Sequence, residues 1–487
     1  MGLSNIITRK YTEESKRKMK PDKYKIISQT DSYKVSQWKV YPDNMTKMFS
    51  YLESRGGTSE EITFFGLQYL LKEYMVGPVI TRDAINTMEV FFKGHFGRDD
   101  VFNKEGWEYI LKEHSGYLPI SIKAVPEGTT VPVKNILLAV ENTDPKCAWL
   151  VNYLETLILK VWYPISIATR CRKIRKAILK HLEISGSPET IDFKLVDFGY
   201  RGVTTEEQAG IGGLAVLTSF MATDNLAGII MGMEYYGTQM CGFSIPATEH
   251  SVMVAKGREG ELEQCKRFLD KYPNGLIACV SDTYNIFECC KNIWGGELKD
   301  TIENRNGTLV VRPDSGDFFV VVPKILDILA EKFGFFINSK GYKVLSDKVK
   351  IIQGDGMDPE TIDLLFAKLV ELGWSADNLT VGSGGGLLME NVTRDTHKFA
   401  IKASWAEIDG KGVSLFKDPI TDNGKSSKKG RLKLVKQLAL DGGTQYITVN
   451  DAHPLFYDMK DELVEVYRNG HLLVDQTFEE IKNRANQ

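Results

Sequence analysis

The sequence predicts an α/β fold, with an irregular α/β barrel flanked by a second, β-rich α+β domain that is built from both ends of the chain. Five short apolar runs alternate with helical stretches between residues 151 and 389, as parallel strands joined by helices do. Each run ends in glycines, carboxylates or arginines, and ligands bind at the carboxyl ends of barrel strands. Strand-like segments on both sides of this region indicate the second domain.

The predicted elements follow this order along the chain. Residues 1–23 are expected to be a mobile lead, and residues 24–150 together with 390–487 to form the β-rich domain. In that domain the strand-like segments are 46–53, 129–133, 400–404, 446–449 and 463–467, and the helical ones are 66–74 and 84–92. A helical stretch at 146–182 leads into the barrel, residues 151–389, whose strand runs are 193–196, 276–280, 309–311, 349–352 and 379–381.

Composition excludes several classes of function. The 487 residues carry a net charge of −3, which gives no support to general nucleic-acid binding. Seven cysteines without a CxxC pair argue against a disulfide framework and favour a reducing, cytoplasmic location. The charged N-terminus lacks the apolar core of a secretory signal, and no apolar run approaches the ~18 residues of a membrane span. We therefore expect a cytoplasmic protein without a membrane or nucleic-acid partner.

The glycine-rich segment 382–386 is the first candidate for a binding site. It follows a predicted strand and contains Gly384 and Gly385, whose backbone N–H groups can converge on a phosphate. The alternative is a plain flexible turn. The lysine and hydroxyl residue of a Walker loop do not follow these glycines, so the segment is not one.

Residues 312–317 place an arginine and two aspartates at another strand end. Arg312 suits a two-pronged contact to phosphate, and Asp314 is a possible oxygen ligand for Mg²⁺. A polar turn with an internal salt bridge is the alternative. Gly354 and Asp355 also place a carboxylate at a strand end, and a carboxylate between glycines can approach a ribose diol.

Two further segments combine aromatic, cationic and imidazole groups. In residues 197–202, Phe198 is a candidate to stack on a planar ligand beside Arg201, although core packing is nearly as good an interpretation. His250 is one of seven histidines, and no second histidine or cysteine stands at a metal-ligand spacing from it. The basic stretch 425–431 is predicted to be a solvated loop or a mobile flap over phosphates.

Taken together, these motifs resemble the nicotinamide phosphoribosyltransferase family of type II phosphoribosyltransferases, from about residue 26 to the C-terminus. The matching segments are residues 30–34, 41–42, 197–202, 209–212, 246–251, 311–316, 353–356, 382–388, 393–395, 416–419 and 427–431. The resemblance implies transfer of a phosphoribosyl group from phosphoribosyl pyrophosphate to nicotinamide, giving nicotinamide mononucleotide and pyrophosphate in NAD salvage. It also implies Mg²⁺, ATP as a facultative co-substrate, and a homodimer with active sites at the interface.

The resemblance assigns roles residue by residue. Phe198 and Tyr33 of the partner subunit would sandwich the nicotinamide ring, and Asp224 would accept a hydrogen bond from its carboxamide. Arg201 and Arg312 would contact the ligand and its phosphate. The remaining roles are phosphorylation by ATP for His250; ribose contact for Asp314, Gly354 and Asp355; the 5′-phosphate for Gly384 and Gly385; the pyrophosphate and ATP side for Arg55, Arg394, Lys402, Lys417 and Asp282; and Mg²⁺ for Asp314 and Asp282.

Two alternatives stay open. A nicotinate phosphoribosyltransferase would share most of the motifs and is distinguished by Asp224 and by a preference for the acid over the amide. A signalling or interaction protein is the alternative from a different class, against which the intact set of site residues argues. The segment 213–214 departs from the family pattern but touches no assigned site residue.

Overall fold

The structure is a computed structural model that describes residues 26–421, 427–438 and 443–487. The predicted lead, residues 1–23, and Lys425 and Ser426 of the basic stretch lie outside the described residues.

The strands are numbered in chain order. They are β1 (Met45–Ser54), β2 (Glu61–Thr63), β3 (Ile120–Ala124), β4 (Thr130–Pro132), β5 (Ile136–Asn142), β6 (Leu195–Asp197), β7 (Ala222–Thr223), β8 (Ile277–Val280), β9 (Leu309–Arg312), β10 (Phe335–Ile337), β11 (Lys343–Leu345), β12 (Val349–Gln353), β13 (Leu379–Ser383), β14 (Phe399–Ile408), β15 (Lys411–Ser414), β16 (Leu432–Leu438), β17 (Thr444–Asn450), β18 (Val464–Arg468) and β19 (His471–Leu472).

The helices are given by their bounds. The α-helices are Leu67–Tyr74, Arg82–Phe96, Lys104–Glu113, Leu150–Tyr153, Glu155–Leu159, Trp162–Ser185, Glu206–Leu217, Leu226–Tyr235, His250–Met253, Glu261–Lys271, Ile286–Glu288, Lys299–Asn304, Phe318–Phe333, Pro359–Glu371, Gly385–Leu388 and Phe478–Ala485, and a π-helix spans Cys289–Glu297.

A curled, six-stranded parallel sheet forms the predicted barrel region, closed only to a half-barrel. Its order is β7-β6-β13-β12-β9-β8, and all neighbouring strands are parallel. The five predicted runs became β6, β8, β9, β12 and β13. Their carboxyl ends lie along one edge because parallel strands point the same way. The polar clusters that follow them therefore meet at that edge.

A seven-stranded antiparallel sheet forms the second layer, in the order β15-β14-β1-β5-β3-β18-β19. Its strands come from both sides of the parallel sheet in sequence, with β1 hydrogen-bonded to β5 on one edge and to β14 on the other. The predicted fold class, an α/β barrel with a β-rich part built from both ends of the chain, is confirmed. The domain boundaries near residues 150 and 390 stay predictions.

The helix Trp162–Ser185 connects the two layers. Ile167, Cys171, Ile174 and Ile178 recur at helical spacing and are buried in the main core, where the helix packs against β2 and the helix Pro359–Glu371. Its first turns consequently reach the segment that follows β13.

Two expectations about the chain as a whole concern cysteines and membranes. All seven cysteines are buried and unpaired, as their spacing indicated. Across the described ranges, each helix is either too short or too polar to traverse a bilayer.

Candidate active site

The Phe198 ring lies on a floor of two glycines at the carboxyl edge of the parallel sheet. The Phe198 N–H donates to Ser383 O at 2.9 Å, which fixes the backbone beside β13. A Cβ built on Gly382 would lie 2.0 Å from Phe198 Cε2, and one on Gly354 would lie 3.1 Å from the same atom. The Phe198 side chain is only half-buried, so part of its ring is accessible to a planar ligand.

This floor makes Gly382→Ala a sharp test of the site geometry. The added methyl group overlaps the Phe198 ring, so we expect a loss of about 1–3 kcal/mol in stability from overpacking, with loss of activity as the ring moves. At Gly385 a Cβ would meet no atom within 4 Å, so Gly385→Ala should change stability by less than about 0.5 kcal/mol. Denaturant unfolding compares the two variants, and equal stabilities would contradict this packing.

Arg312 bridges the aromatic ring and the carboxylates. Its guanidinium carbon lies 4.9 Å from the centre of the Phe198 ring, and Nη2 donates to Asp314 Oδ1 at 2.9 Å. Nε is buried and makes no hydrogen bond to any described residue. A buried donor without an acceptor is costly, so this atom is suited to a ligand oxygen.

His250 stands between two aspartates from neighbouring strand ends. Its Nε2 lies 3.1 Å from Asp282 Oδ1, and its Nδ1 lies 4.0 Å from Asp314 Oδ2. The imidazole side chain is 47% exposed, whereas that of Asp282 is 5% exposed. Asp282 Oδ2 also accepts the Asp314 N–H at 3.1 Å and the Ser315 hydroxyl. The aspartate thus fixes both the imidazole and the loop after β9.

The residues that follow β6 and β7 hold a second pair of carboxylates. Asp197 is fully buried and accepts hydrogen bonds from the Gly199 N–H at 2.7 Å and from Asn225 Nδ2 at 3.1 Å. Burial raises the pKa of Asp197 to about 6. Asp224 is exposed, donates its N–H to Asp197 O at 2.9 Å and accepts the Ser244 hydroxyl at Oδ1. Asp224 therefore presents an exposed carboxylate whose backbone N–H is held by a hydrogen bond to Asp197.

The other strand-end residues lie where the sequence places them. Arg201 is exposed on the 3₁₀ turn Tyr200–Gly202, which follows β6. Asp355 is exposed after β12, where Gln353 Nε2 donates to its carbonyl at 2.9 Å. Gly384 and Gly385 follow β13.

Several cations predicted for the pyrophosphate side form a separate group on the antiparallel sheet. The pKa of Lys402 is lowered mainly by burial; Glu155 raises it, and the positive charges of Arg55, Lys417 and Lys34 lower it further. Arg55 Nε donates to Glu53 Oε1 at 3.0 Å, while its buried Nη2 has no partner among the described residues.

Tyr33 and Arg394 are exposed and make no ring or cation–π contact with Phe198 among the described residues. Tyr33 is 61% exposed in the 3₁₀ helix Ser32–Lys39, and no ring contact to Phe198 is present within the described chain. Arg394 is exposed and pairs with Asp395 at 3.2 Å. Within one chain, the predicted site residues therefore fall into groups on the two sheets.

Asp282 and Asp314 are chemically suited to Mg²⁺. The nearly buried Asp282 carboxylate has His250 as its only ion-pair partner among the described residues. Mg²⁺ binds through one or two carboxylates together with water and substrate phosphates, and this pair could supply those carboxylates.

Ser315, Asp197 and Ser244 act on the site residues but are not identified by the sequence interpretation. The hydroxyls of Ser315 and Ser244 donate hydrogen bonds to Asp282 and Asp224. The Asp197 carboxylate accepts the N–H of Gly199, the residue after Phe198. Ser315 and Asp197 lie inside motifs already singled out, at positions 312–317 and 197–202, and that adjacency is the signal that could have found them. Ser244 carries no such signal.

Comparison of the sequence with known proteins shows the family to which this chain is related. Residues 193–471 match the nicotinate phosphoribosyltransferase (NAPRTase) family, and residues 25–122 match the nicotinamide phosphoribosyltransferase N-terminal domain. A Xanthomonas campestris protein named nicotinamide phosphoribosyltransferase is 41% identical over 94% of this chain and 98% of its own. An Acinetobacter baylyi protein of the same name is 31% identical over 95% and 97%.

Two solved structures share the fold. Nicotinate-nucleotide pyrophosphorylase from Pyrococcus furiosus gives a TM-score of 0.59 at 16% identity, over 98% of this chain and 97% of the other. Human nicotinic acid phosphoribosyltransferase gives 0.59 at 16% identity, over 94% and 93%. The two sequence matches, together with relatives aligned over nearly their whole length, show that this chain belongs to the nicotinamide phosphoribosyltransferases of the nicotinate phosphoribosyltransferase family.

Proposed function

We propose that this enzyme transfers the phosphoribosyl group of phosphoribosyl pyrophosphate to nicotinamide, giving nicotinamide mononucleotide and pyrophosphate for NAD salvage. The observation that carries the proposal is the partly exposed Phe198 ring, which packs on Gly382 and Gly354. Beside it lies Arg312, whose buried Nε has no hydrogen-bond partner among the described residues. A flat, neutral ring and an anionic phosphate are the two parts that such a surface accommodates. The two relatives described above carry the name of this activity.

The chemistry requires positioning more than proton transfer. The pyridine nitrogen already has a free lone pair, which forms the new bond to C1′ while the C1′–oxygen bond breaks and pyrophosphate leaves with the electron pair. The transition state is oxocarbenium-like, as in other glycosyl transfers. Its stabilisation falls to fixed charges and to orientation of the reactants. Mg²⁺ held by Asp282 and Asp314 would neutralise charge on the leaving pyrophosphate.

The roles of the individual residues follow from their positions. Phe198 would stack on the nicotinamide ring, and the exposed Asp224 carboxylate would accept a carboxamide N–H. Arg201 and Arg312 would bind the ligand and its phosphate. Gly384 and Gly385 would bind the 5′-phosphate through backbone N–H groups, and Gly354 and Asp355 would lie along the ribose.

A homodimer would complete the site. The exposed Tyr33 ring supports this, since it has no ring contact with Phe198 in its own chain and would cover that ring from the partner subunit. Of the cations assigned to the pyrophosphate side, Arg55, Lys402 and Lys417 lie on the antiparallel sheet, where some would serve the other subunit's site. We place the enzyme in the cytoplasm, which the seven unpaired cysteines support.

ATP coupling through His250 is part of the proposal. The Nε2–H of the imidazole would donate to Asp282, which leaves the Nδ1 lone pair free to attack the γ-phosphorus of ATP. ADP would leave with the electron pair, and water would later hydrolyse the phosphoramidate. That hydrolysis would drive mononucleotide formation.

The test is mononucleotide formation from phosphoribosyl pyrophosphate with nicotinamide or nicotinate, each with and without ATP and Mg²⁺. We expect product with nicotinamide, enhanced by ATP and dependent on Mg²⁺. A preference for nicotinate would make the enzyme a nicotinate phosphoribosyltransferase, as in the related family. No product with either base would overturn the proposal and favour an interaction protein.

A further inference from the structure

The glycine loop, residues 382–386, cannot fix its own shape, because Ser383 is its only residue with a side chain. The N–H groups of Gly384 and Gly385 donate to no acceptor in the described chain, and the space beside Gly385 is open. One side of the loop is thus free to meet a ligand. The opposite side must hold the loop in place.

Arg170 provides that support from the helix Trp162–Ser185. Its Nη1 donates to Gly386 O at 2.6 Å and to Leu387 O at 3.1 Å, and its Nη2 donates to Glu390 O at 2.7 Å. These carbonyls lie in or just after a single helical turn, which cannot satisfy its own C-terminal acceptors.

Tyr163 supports the same segment from two helical turns earlier. Its hydroxyl donates to Leu388 O at 3.2 Å. A spacing of seven residues puts Tyr163 and Arg170 on one face of the helix, and that face lies against the loop.

Arginine has properties here that lysine lacks. Its planar guanidinium holds five N–H donors in a fixed fork, so one side chain can bind several carbonyls at once. Burial lowers the pKa of Arg170, and no carboxylate forms an ion pair with it among the described residues. Its bonds to three backbone carbonyls therefore place the guanidinium directly behind the open loop.

We propose that Arg170 is a positioning residue for the 5′-phosphate of phosphoribosyl pyrophosphate, holding the carbonyls of the glycine loop so that the Gly384 and Gly385 amides stay directed at the phosphate. The inference rests on the phosphate role given to this loop in the proposed function. Arg170 bonds to the carbonyls of the loop segment and would act on the substrate through the loop. Its effect is consequently specific to the substrate that the loop binds.

The test compares Arg170→Gln and Arg170→Lys with Lys173→Gln in the full-length enzyme. Lys173 lines the same cavity of about 280 Å³ behind the loop and is exposed, so its substitution removes a like charge without removing bonds to the loop carbonyls. We expect the KM for phosphoribosyl pyrophosphate to rise about tenfold or more in Arg170→Gln, because the charged hydrogen bonds to the loop are lost. The rise should be smaller in Arg170→Lys, because lysine keeps part of these bonds. In both Arg170 variants the KM for nicotinamide should stay within about twofold of the wild-type value. In Lys173→Gln the KM values for both substrates should stay within the same range.

Lower thermal stability with unchanged KM values, or equal rises for both substrates, would overturn the proposal in favour of a purely structural role. If both Arg170 variants fail to fold, Tyr163→Phe removes one bond to the same segment and should raise only the phosphoribosyl pyrophosphate KM, by about two- to threefold. Unchanged kinetics in that variant would then overturn it.

Calorimetric binding of phosphoribosyl pyrophosphate separates this inference from the proposed function. Wild-type enzyme that binds it but forms no mononucleotide would refute the proposed function, and weaker binding by Arg170→Gln would still support the loop role. Active wild-type enzyme with equal binding by Arg170→Gln would refute only the inference.

Discussion

Replacing His250 by alanine is expected to stop ATP turnover while leaving a slower, ATP-independent transfer of the phosphoribosyl group. The imidazole is the nucleophile in the proposed phosphorylation, and removing a nucleophile should lower ATP hydrolysis by at least about 100-fold. The bond to C1′ does not involve His250, so mononucleotide should still form. ADP release and mononucleotide formation, measured in the same samples, report the two activities separately.

His453→Ala is the matched control, since this exposed histidine lies in the loop after β17, away from the strand ends of the half-barrel. It should retain wild-type ATP hydrolysis. ATP hydrolysis by Asp282→Asn is a second measurement. It should be slower, because the amide holds the imidazole less firmly than the carboxylate that lies 3.1 Å from Nε2. ATP hydrolysis that survives His250→Ala would refute the phosphohistidine role.

Replacing Asp224 by asparagine is expected to relax the preference for nicotinamide over nicotinate. A carboxylate that accepts an amide N–H contributes about 1.5–3 kcal/mol, and nicotinate would instead bring a second carboxylate against Asp224. Loss of both effects should reduce the ratio of the two kcat/KM values by about 10- to 100-fold. Steady-state kinetics with each base at saturating phosphoribosyl pyrophosphate give this ratio.

Asp355→Asn is the control with the same change of charge after another strand of the same sheet, β12. Its proposed place along the ribose is common to both reactions, so it should affect the two bases equally and leave the ratio intact. An unchanged ratio in a folded Asp224→Asn enzyme would show that discrimination lies elsewhere in the pocket.

Five of the six strands of the half-barrel could be predicted from sequence because each is a short apolar run that contains Val or Ile and lies near a glycine. β7, Ala222–Thr223, could not, since two residues establish no periodicity. The sequence also could not predict that the sheet closes only to a half-barrel, because the number of strands in a sheet depends on pairing between distant segments. The same limit applies to β3 and β5, which pair with each other and with β18 or β1.

The site could be predicted as far as its residues form motifs at strand ends, such as Arg312 and Asp314. Arg170 could not, since an arginine in an amphipathic helix normally faces solvent and its backbone partners leave no trace in the sequence. Tyr163 was hidden for the same reason. The division of the predicted residues between two sheets also depends on tertiary structure alone.

The position of β1 in the middle of the antiparallel sheet has a consequence for biosynthesis. Its partner β5 emerges from the ribosome within about 90 residues, estimated from the strand bounds, whereas β14 begins only at Phe399. During most of translation one edge of β1 therefore has no native neighbour, and an open strand edge can pair with other chains. Nascent enzyme should be most prone to aggregate while the half-barrel is being made, so slow translation of that region would prolong the need for chaperones.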